Sequence, residues 1–220
     1  MVGDSLGSVL YNFKTTRDVT LDMMIEHSKS VRQGISNSLM IVDMPFNTYK
    51  NPNQALQNCK KVMNLTKCDG VKLEGGIKIL KIVKILVKNK IPVMGHLGIL
   101  PQSTKGKFKS KGKSSKEIKE IIRDSKLLED AGVFSIVLEC VEKKLAKEIT
   151  RLISIPTIGI GSSNNCDGQV LVTDDILGLT DSKIKFVKKF SDVKKIISSG
   201  AKKFKQEVRS KKYPSKKYSY

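Results

Sequence analysis

The chain of 220 residues carries 41 lysine and arginine residues against 21 aspartate and glutamate residues, a formal net charge of +20. Hydrophobic residues make up 39% and charged residues 28%, proportions that are typical of a globular protein and exclude a disordered or fibrous chain. No apolar run approaches the roughly 18 residues that indicate a membrane span. The start, MVGDSLG, lacks the basic and apolar parts of a signal peptide, so we expect a cytoplasmic protein.

The positive charge comes mainly from lysine, because only five of the basic residues are arginine. Nucleic-acid surfaces concentrate positive charge and favour arginine. Here the lysines are spread over helix faces and loops, which favours compositional drift over a specific nucleic-acid partner. Weak attraction of anions or RNA is the alternative. The four cysteines lack metal-site spacing and are expected to be reduced and structural.

Seven short apolar runs recur along the chain, rich in valine and isoleucine and apolar on both faces. Such runs are typical of strands buried in a parallel sheet. They are MVGD (1–4), SLMIVD (38–43), GVKLE (70–74), IPVMGH (91–96), VFSIVLE (133–139), IPTIGIG (155–161) and QVLV (169–172).

Helical patterns separate these runs, and capping residues mark where they begin. Thr20 precedes LDMMIEHSKSVRQ, Asn53 precedes QALQNCKKVMNL, and Ser115 precedes KEIKEIIRDSKLLEDA. Residues 77–88 repeat isoleucine, leucine and valine at helical spacing. Alternating strands and helices imply parallel crossovers, in either an open doubly wound sheet or a (β/α)₈ barrel.

The informative polar residues all follow strands, which favours the barrel, because a barrel places its active site at the carboxyl ends of its strands. We therefore predict an α/β fold, a (β/α)₈ TIM-type barrel in residues 1–200, followed by a basic helix end and tail in residues 201–220. The chain starts inside a strand, so the barrel is predicted to be N-terminally truncated, with about seven visible strands. The lysine-rich segment 101–115 is predicted to be a mobile loop over the barrel mouth.

Three acids, Asp4, Asp43 and Glu74, follow successive predicted strands and would be neighbours in a barrel. One such acid alone is more often a helix cap or a turn residue. Three such acids together would bring unpaired carboxylates close to one another, and their negative charge would need a cation. Oxygen ligands without clustered histidine or cysteine suit Mg²⁺ or a similar divalent ion.

Lys72 and Glu74 lie two residues apart on one predicted strand and point to the same side. They form either an internal salt bridge or a pair in which Lys72 holds a substrate carboxylate and Glu74 serves the metal. Glu139 ends the most apolar run, so its carboxylate is partly desolvated and suits a general base, with a salt bridge to a lysine as the alternative. His96 is either a ligand-contacting donor or a structural histidine.

A divalent metal, an anchoring lysine and a glutamate base together suggest enolate chemistry on a 2-oxo acid, with the metal stabilising the enolate. These residues lie in stretches that resemble the ketopantoate hydroxymethyltransferase family. The matching stretches, collinear from residue 2 to about residue 190, include VGDSLGSVLY, IVDMPFNTY, VKLEGG, IPVMGHLGILPQS, LLEDAGVFSIVLECV and IPTIGIGSSNNCDGQVLVTDDILGL.

The resemblance implies a metal-dependent barrel enzyme that transfers a hydroxymethyl group from 5,10-methylenetetrahydrofolate to 3-methyl-2-oxobutanoate, giving 2-dehydropantoate for pantothenate synthesis. It implies that Asp4 and Asp43 bind Mg²⁺ with Glu74 close by, and that Ser5, Asp43, Lys72 and His96 contact the 2-oxo acid. Glu139 would be the catalytic base. The family forms homo-oligomers, decameric in bacteria, and no membrane partner is implied.

The sequence departs from the family pattern at its start, where the segment that supplies a first strand and helix is missing. An alternative function is therefore a truncated, catalytically impaired homologue that acts as a non-enzymatic basic binding protein. The complete set of strand-end residues favours the enzyme.

Overall fold

The computed structural model describes residues 1–104 and 109–220. The chain divides into two compact units, Met1–Val170 and Leu171–Tyr220. The predicted boundary after residue 200 falls inside the second unit. Over the described ranges, no helix combines the length and hydropathy that crossing a bilayer requires.

The first unit is built on one parallel sheet of six strands in the order β1-β2-β3-β4-β5-β6. Each strand therefore pairs with the strand that follows it in the chain, as in a barrel wall. The strands are β1 (Ile41–Asp43), β2 (Gly70–Glu74), β3 (Val93–Gly98), β4 (Ser135–Glu139), β5 (Thr157–Ile160) and β6 (Gly168–Gln169).

The first and last of the seven predicted strands are shorter than predicted. Residues 1–4 make only an isolated bridge, in which the Val2 N–H donates to the Ile41 carbonyl at 2.8 Å and the Asp43 N–H to the Val2 carbonyl at 3.0 Å. The chain then turns at once into a helix, so residues 1–4 add only this one bridge to the sheet. The prediction of a strand over 169–172 was wrong in its bounds, because the strand is Gly168–Gln169 and residues 171–172 lead into the next helix.

Helices connect the first five strands, and side chains cap the N-termini of four of the helices, α2, α3, α5 and α8. The α-helices are α1 (Leu6–Leu10), α2 (Leu21–Gln33), α3 (Pro52–Thr66), α4 (Leu80–Lys88), α5 (Ser115–Asp130), α6 (Lys143–Leu152), α7 (Thr173–Leu177) and α8 (Val193–Arg209). Three single 3₁₀ turns lie at Thr16–Asp18, Ile77–Ile79 and Lys216–Tyr218. The helix predicted over 77–88 is therefore a 3₁₀ turn followed by α4.

Thr20 caps α2 as predicted, with its hydroxyl accepting from the Met23 N–H at 3.2 Å. Two other caps were predicted slightly too late. Asn51 rather than Asn53 caps α3, because Pro52 takes the first helical position, where its missing N–H has no cost. Ser114 rather than Ser115 caps α5. In the second unit, Asp192 caps α8, so this helix begins well before residue 201.

The two faces of the sheet differ in composition, and the difference locates the site. The outer face packs against the helices in the main hydrophobic core, which includes Val42, Leu73 and Leu138. The inner face carries a smaller cluster of Ile41, Met94 and Val137. Because side chains alternate along a strand, the next inward positions toward the carboxyl ends are the polar residues of the predicted site. A polar layer therefore lies above an apolar floor.

The predicted loop over 101–115 is only partly covered by the structure, since residues 105–108 lie outside the described residues. The ends of this segment are held in place. Gln102 is buried at its start. Near its end Lys111 forms a parallel bridge with Val141, and its N–H donates to the Cys140 carbonyl at 2.9 Å.

Candidate active site

The predicted site residues meet at the carboxyl ends of the first four strands. The parallel register pairs Asp43 with Lys72 and Glu74 with His96, and it places Glu139 beside Gly98. Residues paired in register share a face of the sheet, so these side chains line the inner face. The sheet geometry thus brings together residues that are distant in the sequence, as predicted.

Asp4 reaches this layer through the short bridge at the start of the chain. Its N–H donates to Asp43 Oδ2 at 3.1 Å, and both carboxylates are buried. The other oxygen, Asp43 Oδ1, lies 3.2 Å from Lys72 Nζ but makes no aligned hydrogen bond. This oxygen is therefore a buried acceptor with free capacity for a ligand.

Lys72, His96 and Glu139 form a line across the inner face. Lys72 Nζ donates to His96 Nδ1 at 3.0 Å, which leaves the proton of a neutral imidazole on Nε2. His96 Nε2 lies 3.3 Å from Glu139 Oε2, again without an aligned hydrogen bond. The Glu139 side chain is 19% exposed, whereas that of His96 is 3% exposed. Glu139 is thus the member of this line that a substrate can reach.

Ser5 lies at the edge of the same layer. It occupies the N-cap position of α1, but its hydroxyl makes no capping hydrogen bond. A Cβ at Gly3 would lie 3.2 Å from Ser5 Oγ and 3.5 Å from Asp43 Oδ2. The Ser5 hydroxyl and the Asp43 carboxylate are therefore both close to Gly3, where a side chain would crowd the Ser5 hydroxyl.

Gln102 is a site residue that the sequence reasoning missed. Its side chain is buried, and its Nε2 donates to Asp4 Oδ2 at 2.8 Å and to the Met44 carbonyl at 2.9 Å. Its backbone N–H donates to Glu74 Oε2 at 3.0 Å. Tyr49 was missed as well; its hydroxyl donates to Gln102 Oε1 at 2.5 Å. Gln102 lies outside the periodic segments, but it belongs to the matching stretch IPVMGHLGILPQS, and that stretch is the signal that could have identified it.

Burial and mutual repulsion raise the pKa of two acids in the layer. The pKa of Asp4 rises to about 6, chiefly through burial and then through the charge of Asp43, against the opposing effects of Lys72 and Gln102. The pKa of Glu74 rises to about 8, again chiefly through burial, although Lys72 opposes the rise. The layer therefore holds more negative charge than its single lysine balances.

The two basic residues differ in charge. Burial lowers the pKa of Lys72, but the nearby carboxylates of Asp43, Glu74 and Asp4 outweigh burial, so its pKa is raised and it is charged. Burial, and then the adjacent Lys72 ammonium, lower the pKa of His96 below its ordinary value. His96 is therefore neutral near pH 7, and Lys72 is the only cation that faces these acids in the contacts described above.

The donor set suits a hard divalent cation. In the described residues, no three histidine, cysteine or acidic side chains are already gathered closely enough to hold a metal ion. The direct backbone contact joins only Asp4 and Asp43, and Glu74 is connected to them through Gln102. Nevertheless, Asp43 Oδ1, which makes no aligned hydrogen bond, and the excess of buried carboxylate are the groups whose charge such a cation would neutralise. The residues present therefore fit Mg²⁺ in chemistry.

The chain matches known proteins along its whole length. A family model described as ketopantoate hydroxymethyltransferase matches residues 1–216. A protein of Pelagibacter ubique named 3-methyl-2-oxobutanoate hydroxymethyltransferase is 64% identical over 220 residues, covering 100% of this chain and 85% of the relative. Proteins of the same name from Brucella suis and Rhizobium etli are 47% and 44% identical over 224 residues, covering 100% of this chain and 82% of each relative.

Solved structures with similar folds are far more distant in sequence. Phosphonopyruvate hydrolase aligns with a TM-score of 0.57 at 10% identity, over 98% of this chain and 78% of that one. A 2,3-dimethylmalate lyase of the PEP mutase/isocitrate lyase superfamily aligns with a TM-score of 0.56 at 13% identity, over 94% and 73%. These likenesses concern the fold alone, and with the parallel sheet they confirm the predicted barrel-type α/β class.

The strand-end residues identified from the sequence thus lie in one buried layer of a barrel-type sheet. The family model covers nearly all of the chain, and the curated relatives cover all of it. The chain belongs to the ketopantoate hydroxymethyltransferase family, a family of enzymes.

Proposed function

We propose that the chain transfers a hydroxymethyl group from 5,10-methylenetetrahydrofolate to 3-methyl-2-oxobutanoate, giving 2-dehydropantoate for pantothenate synthesis. The named relatives support the acceptor and the group transferred. The single observation that carries the proposal is the polar layer on the inner face, where a partly exposed glutamate lies beside a buried lysine, a neutral histidine and three further acids.

Glu139 is proposed as the base that removes the C3 proton of the 2-oxo acid. It is the acid of the line that a substrate can reach, and it lies above the apolar floor that includes Val137. His96 Nε2–H, 3.3 Å from the Glu139 carboxylate, would hold that carboxylate and orient it toward the substrate. A general base needs this kind of fixed approach to the proton that it abstracts.

Lys72 is proposed to supply the positive charge that attracts the substrate carboxylate. Its ammonium is fixed between Asp43 Oδ1 at 3.2 Å and His96 Nδ1 at 3.0 Å. Ser5, whose hydroxyl lies close to Gly3 and makes no capping hydrogen bond, would donate a hydrogen bond to the same substrate. Because both groups are held by the fold, the acceptor would be oriented before its proton is removed.

Asp4 and Asp43 are proposed to hold a divalent cation such as Mg²⁺, with Glu74 close to it. Such a cation supplies electrophilic stabilisation of the oxygen charge that develops when a carbon acid loses its proton. We further propose that the protein works in the cytoplasm as a homo-oligomer, without a membrane or a specific nucleic-acid partner.

The direct test is to incubate the purified protein with 3-methyl-2-oxobutanoate, 5,10-methylenetetrahydrofolate and Mg²⁺ and to measure 2-dehydropantoate by mass spectrometry. We expect product that disappears when EDTA is added. Without folate, the protein should exchange the C3 proton of the substrate in D₂O. Folded protein that gives neither product nor exchange would refute the proposed activity and favour the non-enzymatic binding protein.

The residue roles are tested with matched variants. Removing a general base costs about 10²–10⁴-fold in rate, so Glu139→Gln should lose exchange and product to that extent. Glu142→Gln, three positions further along the chain, is the control and should retain both activities. Equal activities in the two variants would exclude Glu139 as the base.

A further inference from the structure

We propose that Gln102, held by Tyr49, is a positioning residue that fixes the carboxylates of Asp4 and Glu74 relative to each other. This inference rests on the proposed function, because it assigns those carboxylates to a functional cation site. It concerns two residues that contribute neither a charge nor a nucleophile to the reaction.

The hydrogen bonds of the Gln102 amide set its orientation. Its Nε2 lies between two acceptors, Asp4 Oδ2 at 2.8 Å and the Met44 carbonyl at 2.9 Å. Its Oε1 faces the Tyr49 hydroxyl at 2.5 Å. Only one of the two amide orientations satisfies these three partners, since both acceptors require the NH₂ group. The amide is therefore fixed, and it holds Asp4 Oδ2 in one direction.

The backbone of Gln102 contacts a second acid. The turn after β3 is closed by hydrogen bonds from the N–H groups of Ser103 and Thr104 to the Leu100 carbonyl, at 3.0 and 2.9 Å. In this turn the Gln102 N–H points at Glu74 Oε2, 3.0 Å away. One residue thus contacts two acids, one through its side chain and the other through its backbone.

The burial of Gln102 also supports a positioning role. Gln102 is 2% exposed, and amides of this kind are buried only when their hydrogen bonds are made. A merely structural glutamine needs no acidic partner, and it could bond to backbone groups alone. Here its donors are divided between the backbone of Met44 and a carboxylate that carries the proposed function. Residues that orient ligating carboxylates in this way affect metal affinity as well as rate.

Tyr49, in the loop between β1 and α3, holds the Gln102 amide by its oxygen. Its phenol is held in the neutral, hydrogen-donating form, because burial and then the charge of Glu74 raise its pKa. The hydroxyl therefore donates to Gln102 Oε1, and this contact prevents the amide from rotating. Removing it should loosen the amide without removing the contact to Asp4.

The test uses two variants of the full chain and two controls. Gln102→Met keeps the length of the side chain but removes both N–H donors of the side-chain amide. The backbone N–H that contacts Glu74 remains. Tyr49→Phe removes only the hydroxyl. The controls are Gln206→Met, at a polar position of α8, and Tyr11→Phe, which loses one exposed hydrogen bond to His27.

Mn²⁺ is the probe, and its dissociation constant is measured from the electron paramagnetic resonance signal of the free ion. Substituting residues that orient metal ligands costs about 10–100-fold in affinity or activity, and we expect a loss of that size for Gln102→Met in both Mn²⁺ affinity and kcat. The KM for the 2-oxo acid should change less, because Lys72 and Ser5 are untouched. Tyr49→Phe should lose about 2–10-fold, the equivalent of one hydrogen bond. The controls should match the unsubstituted chain.

Three outcomes decide the matter. A folded Gln102→Met that retains native Mn²⁺ affinity and kcat overturns the inference while the proposed function stands. If Gln102→Met shows no cooperative unfolding transition, Tyr49→Phe decides, and native affinity and kcat in that variant overturn the inference. An unsubstituted chain that neither binds Mn²⁺ nor makes product refutes the proposed function, and the positioning role with it.

Discussion

Cation binding by the acidic layer should release a proton, and the extent of this release follows from the structure. The pKa of Glu74 is raised to about 8 and that of Asp4 to about 6. At pH 7 an acid with a pKa of about 8 is about 90% protonated, and one with a pKa of about 6 is about 10% protonated. A cation that needs both carboxylates ionised therefore displaces about one proton in total.

The sign of the pH dependence follows from the same linkage. Ionisation of Glu74 precedes cation binding, so affinity should increase as the pH rises and should level off above about pH 8. Between pH 6.5 and 7.5, release of about one proton corresponds to about a tenfold gain in affinity. Near pH 9 both acids are already ionised, so the release should fall to about 0.1 proton for each cation bound.

Isothermal titration calorimetry with Mg²⁺ measures both quantities. Titrations in Pipes, Hepes and Tris, whose ionisation enthalpies differ, give the number of protons released from the slope of observed enthalpy against buffer enthalpy. Glu74→Gln should reduce the release at pH 7 to about 0.1, whereas Glu26→Gln, an exposed acid on α2, should leave it near one. Affinity that is constant from pH 6 to 8, with no proton released, would refute the charge balance described for this layer.

Three further predictions concern stability and charge. Without a cation, folding binds a proton at Glu74, and this contribution should lower the free energy of unfolding in urea by roughly 2–4 kcal/mol from pH 5 to 8.5. Glu74→Gln should remove this contribution and leave the smaller one that Asp4 makes in the same direction. A Cβ at Gly76 would lie 2.7 Å from Asp124 Cβ and 1.8 Å from Asp124 Oδ2, so Gly76→Ala should lower the free energy of unfolding by about 1–3 kcal/mol. In the control Gly34→Ala, the nearest atom to the added Cβ lies at 3.7 Å, so the free energy of unfolding should change by less than about 1 kcal/mol. In filter-binding assays, random-sequence RNA should bind the protein with a dissociation constant of about 1–100 µM at physiological salt. Tight, sequence-selective binding would contradict the interpretation that the +20 charge reflects compositional drift.

The layer could be predicted because strand geometry is regular. Side chains alternate along a strand, and the carboxyl ends of parallel strands meet at one edge, so an acid at the end of each apolar run had to face its neighbours. Asp43, Glu74 and Glu139 were located by this rule, and the register observed between the strands agrees with it.

The positions that the sequence did not reveal depend on contacts rather than on periodicity. Gln102 is buried because a turn folds it back over the strand ends, and Pro101, which is favoured at the second position of such a turn, was the signal that the sequence offered. Tyr49 ends the matching stretch IVDMPFNTY, but no role was assigned to it there. The cap of α3 was predicted at Asn53, although Pro52 at the first helical position identifies Asn51. In that case the sequence held a signal, and the error lay in its interpretation.

The net charge of the whole chain and the charge of the inner polar layer have opposite signs. The whole chain carries +20, whereas in the inner layer one charged lysine faces four acids and a neutral histidine. A strongly positive protein attracts anionic substrates through its long-range field. Close to the strand ends, the local excess of carboxylate reverses this preference, and either protons or a cation must neutralise it. Proton binding at Glu74 and cation binding are therefore competing states of one site, and the prediction of coupled proton release tests that competition directly.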